Sequence, residues 1–114
     1  MQNCLFCNII DGQHDTRKVY EDEGLIAIND INPQAPIHTL IIPKKHCETV
    51  MEIKEEEQNL MGSVFLAAQK IAKIEGIDKS GFRIVVNCGS GGGQTVFHIH
   101  FHLLGGRSLT WPPG

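Results

Sequence analysis

The period at which apolar and polar positions alternate changes several times along the chain, and each change marks an element. Val19-Tyr20 and Gly24-Leu-Ile-Ala-Ile-Asn-Asp30 are short apolar, β-branched runs bounded by Glu21, Asp22 and Gly24, which predicts two strands joined as a hairpin by an acidic turn. Asn32-Pro-Gln-Ala-Pro36 then breaks regular structure, because each proline fixes its own φ and pushes the residue before it to an extended conformation. His38-Thr-Leu-Ile-Ile-Pro43 reads as a third strand, with an apolar centre suited to mid-sheet burial and Pro43 ending it. From Glu55 to Ile74 the period lengthens. Leu60, Met61, Val64, Phe65, Ala68, Ile71 and Ala72 recur at spacings of three and four, the stripe of one long amphipathic helix, and Gly76 is its expected stop. Phe82-Arg-Ile-Val-Val-Asn-Cys88 predicts a fourth strand and residues 96–104 a fifth, with Gly89-Ser-Gly-Gly-Gly93 between them. Strands on both sides of a single long helix predict an α+β fold, a mainly antiparallel sheet covered on one face. Leu109-Thr-Trp-Pro-Pro-Gly114 cannot be helical, and its aromatic predicts a docked rather than a free tail.

Composition narrows the class. The chain has 114 residues, 41% hydrophobic and 20% charged, which suits one domain spanning residues 1–114 without a linker or internal repeat. A formal net charge of −3 supplies no basic field, so no nucleic-acid partner is expected and any bound phosphate must be held by local groups. No apolar run reaches membrane-span length, and the first ten residues lack the basic start and apolar stretch of a signal peptide, so no membrane association and a cytoplasmic location are expected. Four cysteines are too few for a disulfide scaffold and read as thiols or metal ligands, with Cys47 and Cys88 expected as core thiols.

Histidine changes the picture most. There are six, and three of them form His98-Ile-His-Phe-His102. On a strand this alternation sends the three imidazoles to one face and Ile99, Phe101 and Leu103 to the other. At about 3.3 Å per residue the outer Cα atoms are ~13 Å apart, too far for all three rings to hold one metal, although two of them could. Imidazole titrates near neutrality, so a neutral ring can attack phosphorus while a protonated one stabilises phosphate oxygens or a leaving group. Just upstream, Gly89-Ser-Gly-Gly-Gly-Gln-Thr-Val96 would let backbone N–H groups approach an anion without Cβ interference, as a phosphate cradle, although such a run is often only a turn. It fits neither the Walker pattern nor a dinucleotide fingerprint.

His-Ile-His-Phe-His-Leu-Leu104 resembles the histidine triad signature of the HIT superfamily, and Gly-Gly-Gln-Thr-Val-Phe97 resembles its Hint branch. Asn29-Asp-Ile-Asn-Pro-Gln-Ala-Pro-Ile-His38, Ile42-Pro-Lys-Lys-His46 and the Gly105-Gly-Arg…Trp-Pro-Pro-Gly114 ending are similar to corresponding stretches of that branch. The resemblance implies a five-stranded sheet with one long and one short helix, continuing across a homodimer. It implies a purine nucleoside phosphoramidase that splits the P–N bond of adenosine 5′-phosphoramidates into AMP and amine, with acyl adenylates as related ligands. It further implies His100 as the nucleophile forming a nucleotidyl-histidine, His102 on the phosphate and His38 in the supporting histidine network. Asp30 would hold the ribose hydroxyls, Ile31 would pack on the base, and Asn87, Gly93, Gln94, Thr95 and Val96 would surround the phosphate and leaving group. Thr95 stands where the branch often has serine. Taken without the motif, Asp30 is an ordinary turn residue and Asn87 a strand-end one. No catalytic metal or organic cofactor is required.

Cys4-Leu-Phe-Cys7 has the gap that lets two sulfurs reach one tetrahedral zinc, but supplies half the ligands. The resemblance implies that His46 and His98 complete a structural zinc site; the alternative is two reduced cysteines packing the N-terminal segment on the sheet. Two other functions stay open: a zinc-dependent nucleotide hydrolase using His98 and His100, and a nucleotide-binding regulatory module whose turnover is incidental. Trp111-Pro-Pro-Gly114, the end of the tail that runs from residue 105 to 114, is expected to border the active site of a partner subunit.

Overall fold

Asp22 fixes the first turn: its carboxylate accepts the N–H groups of Gly24 and Leu25 at 2.9 Å each, folding the chain back on itself. In the computed structural model, which describes residues 3–114, this turn joins β1 (Lys18–Glu21) to β2 (Leu25–Asn29). After the proline loop come β3 (Ile37–Pro43), a long helix, β4 (Phe82–Val85) and β5 (Phe101–Gly105). The five strands form one sheet in the order β1-β2-β3-β5-β4, every neighbouring pair antiparallel. The long helix, α2 (Gln58–Ile74), is preceded by a 3-10 turn at Glu55–Glu57, so the helical run begins at Glu55 as the pattern predicts. It closes as a Schellman motif: Gly76, at φ +73°, donates to the Lys73 carbonyl and Ile77 to that of Ala72.

Two hydrophobic layers follow from the period-2 alternation of the strands. Leu25, Ala27, Ile41, Ile99, Phe101 and Leu103 pack against Val64, Ala67, Ala68 and Ile71 of α2. Ile26, Ile28, Leu40 and Ile42 face the other way and are covered by Phe6 and Ile9 of a short N-terminal helix, α1 (Leu5–Ile10). The sheet is therefore covered on both faces, not one. A six-residue helix capped by Cys4 and carrying Cys7 is too short for a periodic signal of its own, and tertiary packing, not propensity, holds it. Phe65, expected on the buried stripe, is 54% exposed; Ala67 takes the inward place.

The fourth and fifth strands are shorter than expected. The β3–β5 register pairs Ile37 with Gly105 and Ile41 with Phe101, so its continuation would set Pro43 opposite Ile99. Proline has no N–H to give, and the ladder stops at Phe101. Residues 96–98 run as bends and 99–100 as irregular chain instead, tied by the Ile99 N–H to the Cys47 carbonyl at 2.7 Å. Cys47 packs partly buried against the core, but Cys88 is exposed because β4 ends before it; it is not a core thiol. The tail is held through its backbone, with Arg83 Nη2 donating to the carbonyls of Leu109 (3.3 Å) and Thr110 (2.9 Å), while Trp111 remains 81% exposed. Among the described residues no helix is long and apolar enough to cross a membrane.

Candidate active site

Although residues 98–100 lie outside the ladder, the alternation of their side chains survives. Ile99 enters the α2 core, while His98 and His100 both contact Phe6 of α1 edge-on, with centroids 5.9 and 5.0 Å away. Each of the three rings has a hydrogen bond that fixes its tautomer, and His100 differs from the other two.

His100 Nδ1 lies 2.8 Å from the His98 carbonyl. A carbonyl only accepts, so Nδ1 carries the proton and the neutral ring keeps its lone pair on Nε2. For His102 the order is reversed. The Gln34 backbone N–H donates to His38 Nδ1 at 3.0 Å, which leaves the proton of neutral His38 on Nε2. That Nε2–H faces His102 Nδ1 at 2.9 Å and Asp30 Oδ2 at 3.5 Å. His102 Nδ1 is thus an acceptor, and its Nε2 is left as a donor. Burial foremost, then the neighbouring His100 and His38, push the His102 pKa down to about 4, so the ring is neutral at physiological pH. Burial also lowers the pKa of His38, and the Asp30 carboxylate offsets part of this. Asp30 is held in turn by its own loop, its Oδ1 accepting the Asn32 N–H at 2.8 Å. It is both a turn residue and part of the wall of a cavity.

His100 and His102, with ring centroids 5.1 Å apart, open onto a cavity of about 400 Å³. Asp30, Ile31, Thr95 and Val96 share its lining, as do Phe6, Ile9, Ile28 and Leu40. These last four residues, with Leu5, His14 and Thr16, are not among the expected site residues, because only the tertiary packing of α1 and the strands brings them to the cavity. His38 stands behind His102, buried, and does not line the cavity. Nor do Asn87, Gly93 and Gln94. The Gly-rich loop closes on itself: Gly92, Gly93 and Gln94 donate their N–H groups to the carbonyls of Gly89, Ser90 and Gly89. Gln94 is buried, its Oε1 accepting from Gly89 N–H and its Nε2 donating to the carbonyls of Glu48 and Val96. The loop therefore positions Thr95 and Val96, and the amides of residues 92–94 do not form the expected cradle. Asn87 stays beside that loop, its backbone 3.9 Å from where a Cβ on Gly92 would lie.

His98 faces a different set of groups. Fully buried, it donates Nε2–H to the Pro43 carbonyl at 2.7 Å, which turns its Nδ1 lone pair toward Cys4 Sγ (3.3 Å), Cys7 Sγ (3.5 Å) and His46 Nδ1 (3.1 Å). Cys7 Sγ lies 3.3 Å from His46 Nδ1, and one donor atom from each of the four residues falls within 4.8 Å of the others. Two soft thiols and two imidazoles, one oriented by a carbonyl behind it, form a donor set compatible with a structural metal site. Burial raises the Cys7 pKa and lowers that of His98.

The site thus brings together one buried, ligand-type histidine and a neighbouring pair of histidines that open onto a cavity, all within the five residues that lead into β5. The chain belongs to the HIT domain family, whose model it matches over residues 11–109. It is 46% identical over 113 residues to an uncharacterised HIT-like protein of Synechococcus elongatus, covering 99% of this chain and 98% of that one. Its fold is similar to the crystal structure of a HIT family hydrolase from Legionella pneumophila, with TM-score 0.96 and 50% identity over 98% of this chain and 100% of the other. A histidine triad nucleotide-binding protein from Candida albicans matches with TM-score 0.82 and 30% identity, over 96% and 83% of the two chains.

Proposed function

We propose that this protein is a nucleotide hydrolase that cleaves the P–N bond of adenosine or other purine 5′-phosphoramidates, giving AMP and amine through a nucleotidyl-histidine on His100. The observation that carries the reading is the opposed tautomers of two adjacent rings on one cavity. His100 presents a lone pair on Nε2, and neutral His102 presents a donor. A nucleophile and a hydrogen-bond donor for phosphate oxygens are the two groups such a transfer needs. The naming of one solved relative as a hydrolase and of another as nucleotide-binding supports the same class.

In the first step the Nε2 lone pair of His100 forms a bond to phosphorus. The P–N bond breaks, its electron pair leaves with the amine nitrogen, and that nitrogen takes a proton from solvent. In the second, water attacks phosphorus, the bond to His100 breaks with its pair returning to Nε2, and the water proton released balances the one consumed. His102 holds the phosphate oxygens through Nε2–H, and His38 acts through His102 as a positioning residue. Asp30 takes the ribose hydroxyls, Ile31 covers the base, and Thr95 and Val96 flank the phosphate. Cys4, Cys7, His46 and His98 would hold a Zn²⁺ ion, which when bound cross-links α1 to the sheet and supplies no reaction step. A second copy of the chain would pair along β4, an edge strand of the sheet, and bring the exposed Trp111 toward the partner's cavity.

Release of a fluorescent amine from an aryl or indolyl adenosine 5′-phosphoramidate tests the reading. Turnover surviving chelation and abolished in His100→Ala is expected. Turnover lost on chelation with the fold intact would favour the zinc-hydrolase alternative, and a His100→Ala variant at full rate would refute the histidine nucleophile.

A further inference from the structure

A second cavity, of about 420 Å³, adjoins the one that holds His100 and His102. Leu5, Thr95 and Val96 line both, so the two spaces meet where the phosphate of a bound nucleotide would sit. The first cavity holds the groups suited to a nucleoside: Asp30, Ile31 and the apolar floor of Ile28 and Leu40. None of these reaches the second, whose remaining walls are Asn3, Cys4, His46, Glu48 and Phe97.

The charge balance of those walls is one-sided. Cys4 and His46 turn their donor atoms inward, toward His98 and Cys7 at 3.3 Å each, and so contribute surface rather than free charge. The nearby lysines are engaged elsewhere, Lys44 with Glu21 at 2.9 Å and Lys45 with Glu57 at 2.7 Å. Glu48 is the only acidic residue of the lining, and among the described residues its carboxylate enters no ion pair. Its backbone carbonyl accepts from Gln94 Nε2 at 2.6 Å, which fixes the residue beside the mouth shared with Thr95.

We infer that this second cavity is the leaving-group subsite, and that Glu48 selects amines whose carbon chain ends in a second positive charge. The inference rests on the phosphoramidase reading. An alkyl chain leaving phosphorus beside Thr95 enters a cavity walled by Leu5, Val96 and Phe97 in which Glu48 is the one acidic residue. A diamine or lysine-like leaving group satisfies both features, while a neutral alkylamine satisfies only the first.

The test compares two adenosine 5′-phosphoramidates, one of 1,5-diaminopentane and one of n-pentylamine, as the ratio of kcat/KM at low salt. A partly exposed ion pair predicts a ratio of about five in favour of the diamine, shrinking as salt is raised. In Glu48→Gln the ratio falls to about one, and in Glu48→Lys it inverts. Equal rates for both substrates in the wild type, or a preference that persists in Glu48→Gln, would overturn the subsite. A wild type that turns over neither substrate would instead refute the hydrolase reading itself.

Discussion

Lowering the pH from 7 to 4 perturbs one group whose response can be worked out from its surroundings. His102 accepts the His38 Nε2–H on its Nδ1, so protonation there places two hydrogens face to face across 2.9 Å and a charge 5.1 Å, centroid to centroid, from the His100 ring. The folded ring accordingly titrates at about 4, below its ordinary 6.5. Because the folded value is the depressed one, the unfolded chain takes up the proton first as pH falls. The stability is whole above pH 6.5, is lost between 6.5 and about 4, and does not change further below that on account of this group. The gap corresponds to about 3 kcal/mol at most, a sizeable fraction of the 5–15 kcal/mol typical of a domain. Urea unfolding at several pH values, wild type against His102→Gln, isolates it, because acid protonation of the Cys/His cluster affects both chains alike. The difference between the two should shrink by about 1–3 kcal/mol from pH 7 to pH 4. A difference flat across this range, or an NMR titration of the His102 ring near 6.5, would refute the reasoning.

Gly106 sits at φ +90° with its would-be Cβ 2.9 Å from Pro36 Cβ, so Gly106→Ala combines backbone strain with a clash against a rigid ring. It should cost about 2–3 kcal/mol in chemical denaturation. Asp30→Asn preserves the acceptor for the Asn32 N–H but removes the charge facing His38; binding of AMP by calorimetry should weaken about tenfold with little loss of stability. Chelation should lower Tm by roughly 10 °C, the shift that 2–3 kcal/mol produces in a domain of this size, and Cys4→Ser should lower Tm in the same direction without added chelator. An unchanged Tm in both cases would show that the four-residue cluster holds no stabilising metal.

Much of this arrangement is legible in the sequence because it rests on periodicity. The alternation of His98, Ile99, His100, Phe101 and His102 is enough to put the three rings on one side, even where Pro43 prevents the ladder from reaching them. The helical stripe likewise identifies Val64, Ala68 and Ile71 as core. What escapes depends on tertiary partners. No local pattern says that Gln34 N–H fixes the His38 tautomer, since that bond belongs to the path of the proline loop. The glycines suggest an anion cradle, but the buried Gln94 amide closes the loop on itself, a choice set by the Glu48 carbonyl 46 positions away. The second face of the sheet is missed for a related reason: α1 forms only because Phe6 and Ile9 find Ile26, Ile28 and the histidine rings to cover.

The central claim is that His100 becomes covalently nucleotidylated, and the most direct measurement is to trap it. Enzyme mixed with an adenosine 5′-phosphoramidate, quenched within a turnover under alkaline conditions and mapped by peptide mass spectrometry, should carry one adenylyl group on the peptide containing His100. The adduct should be absent from His100→Ala. An adduct on another residue, or steady turnover with no adduct and with His100→Ala still active, would contradict the account.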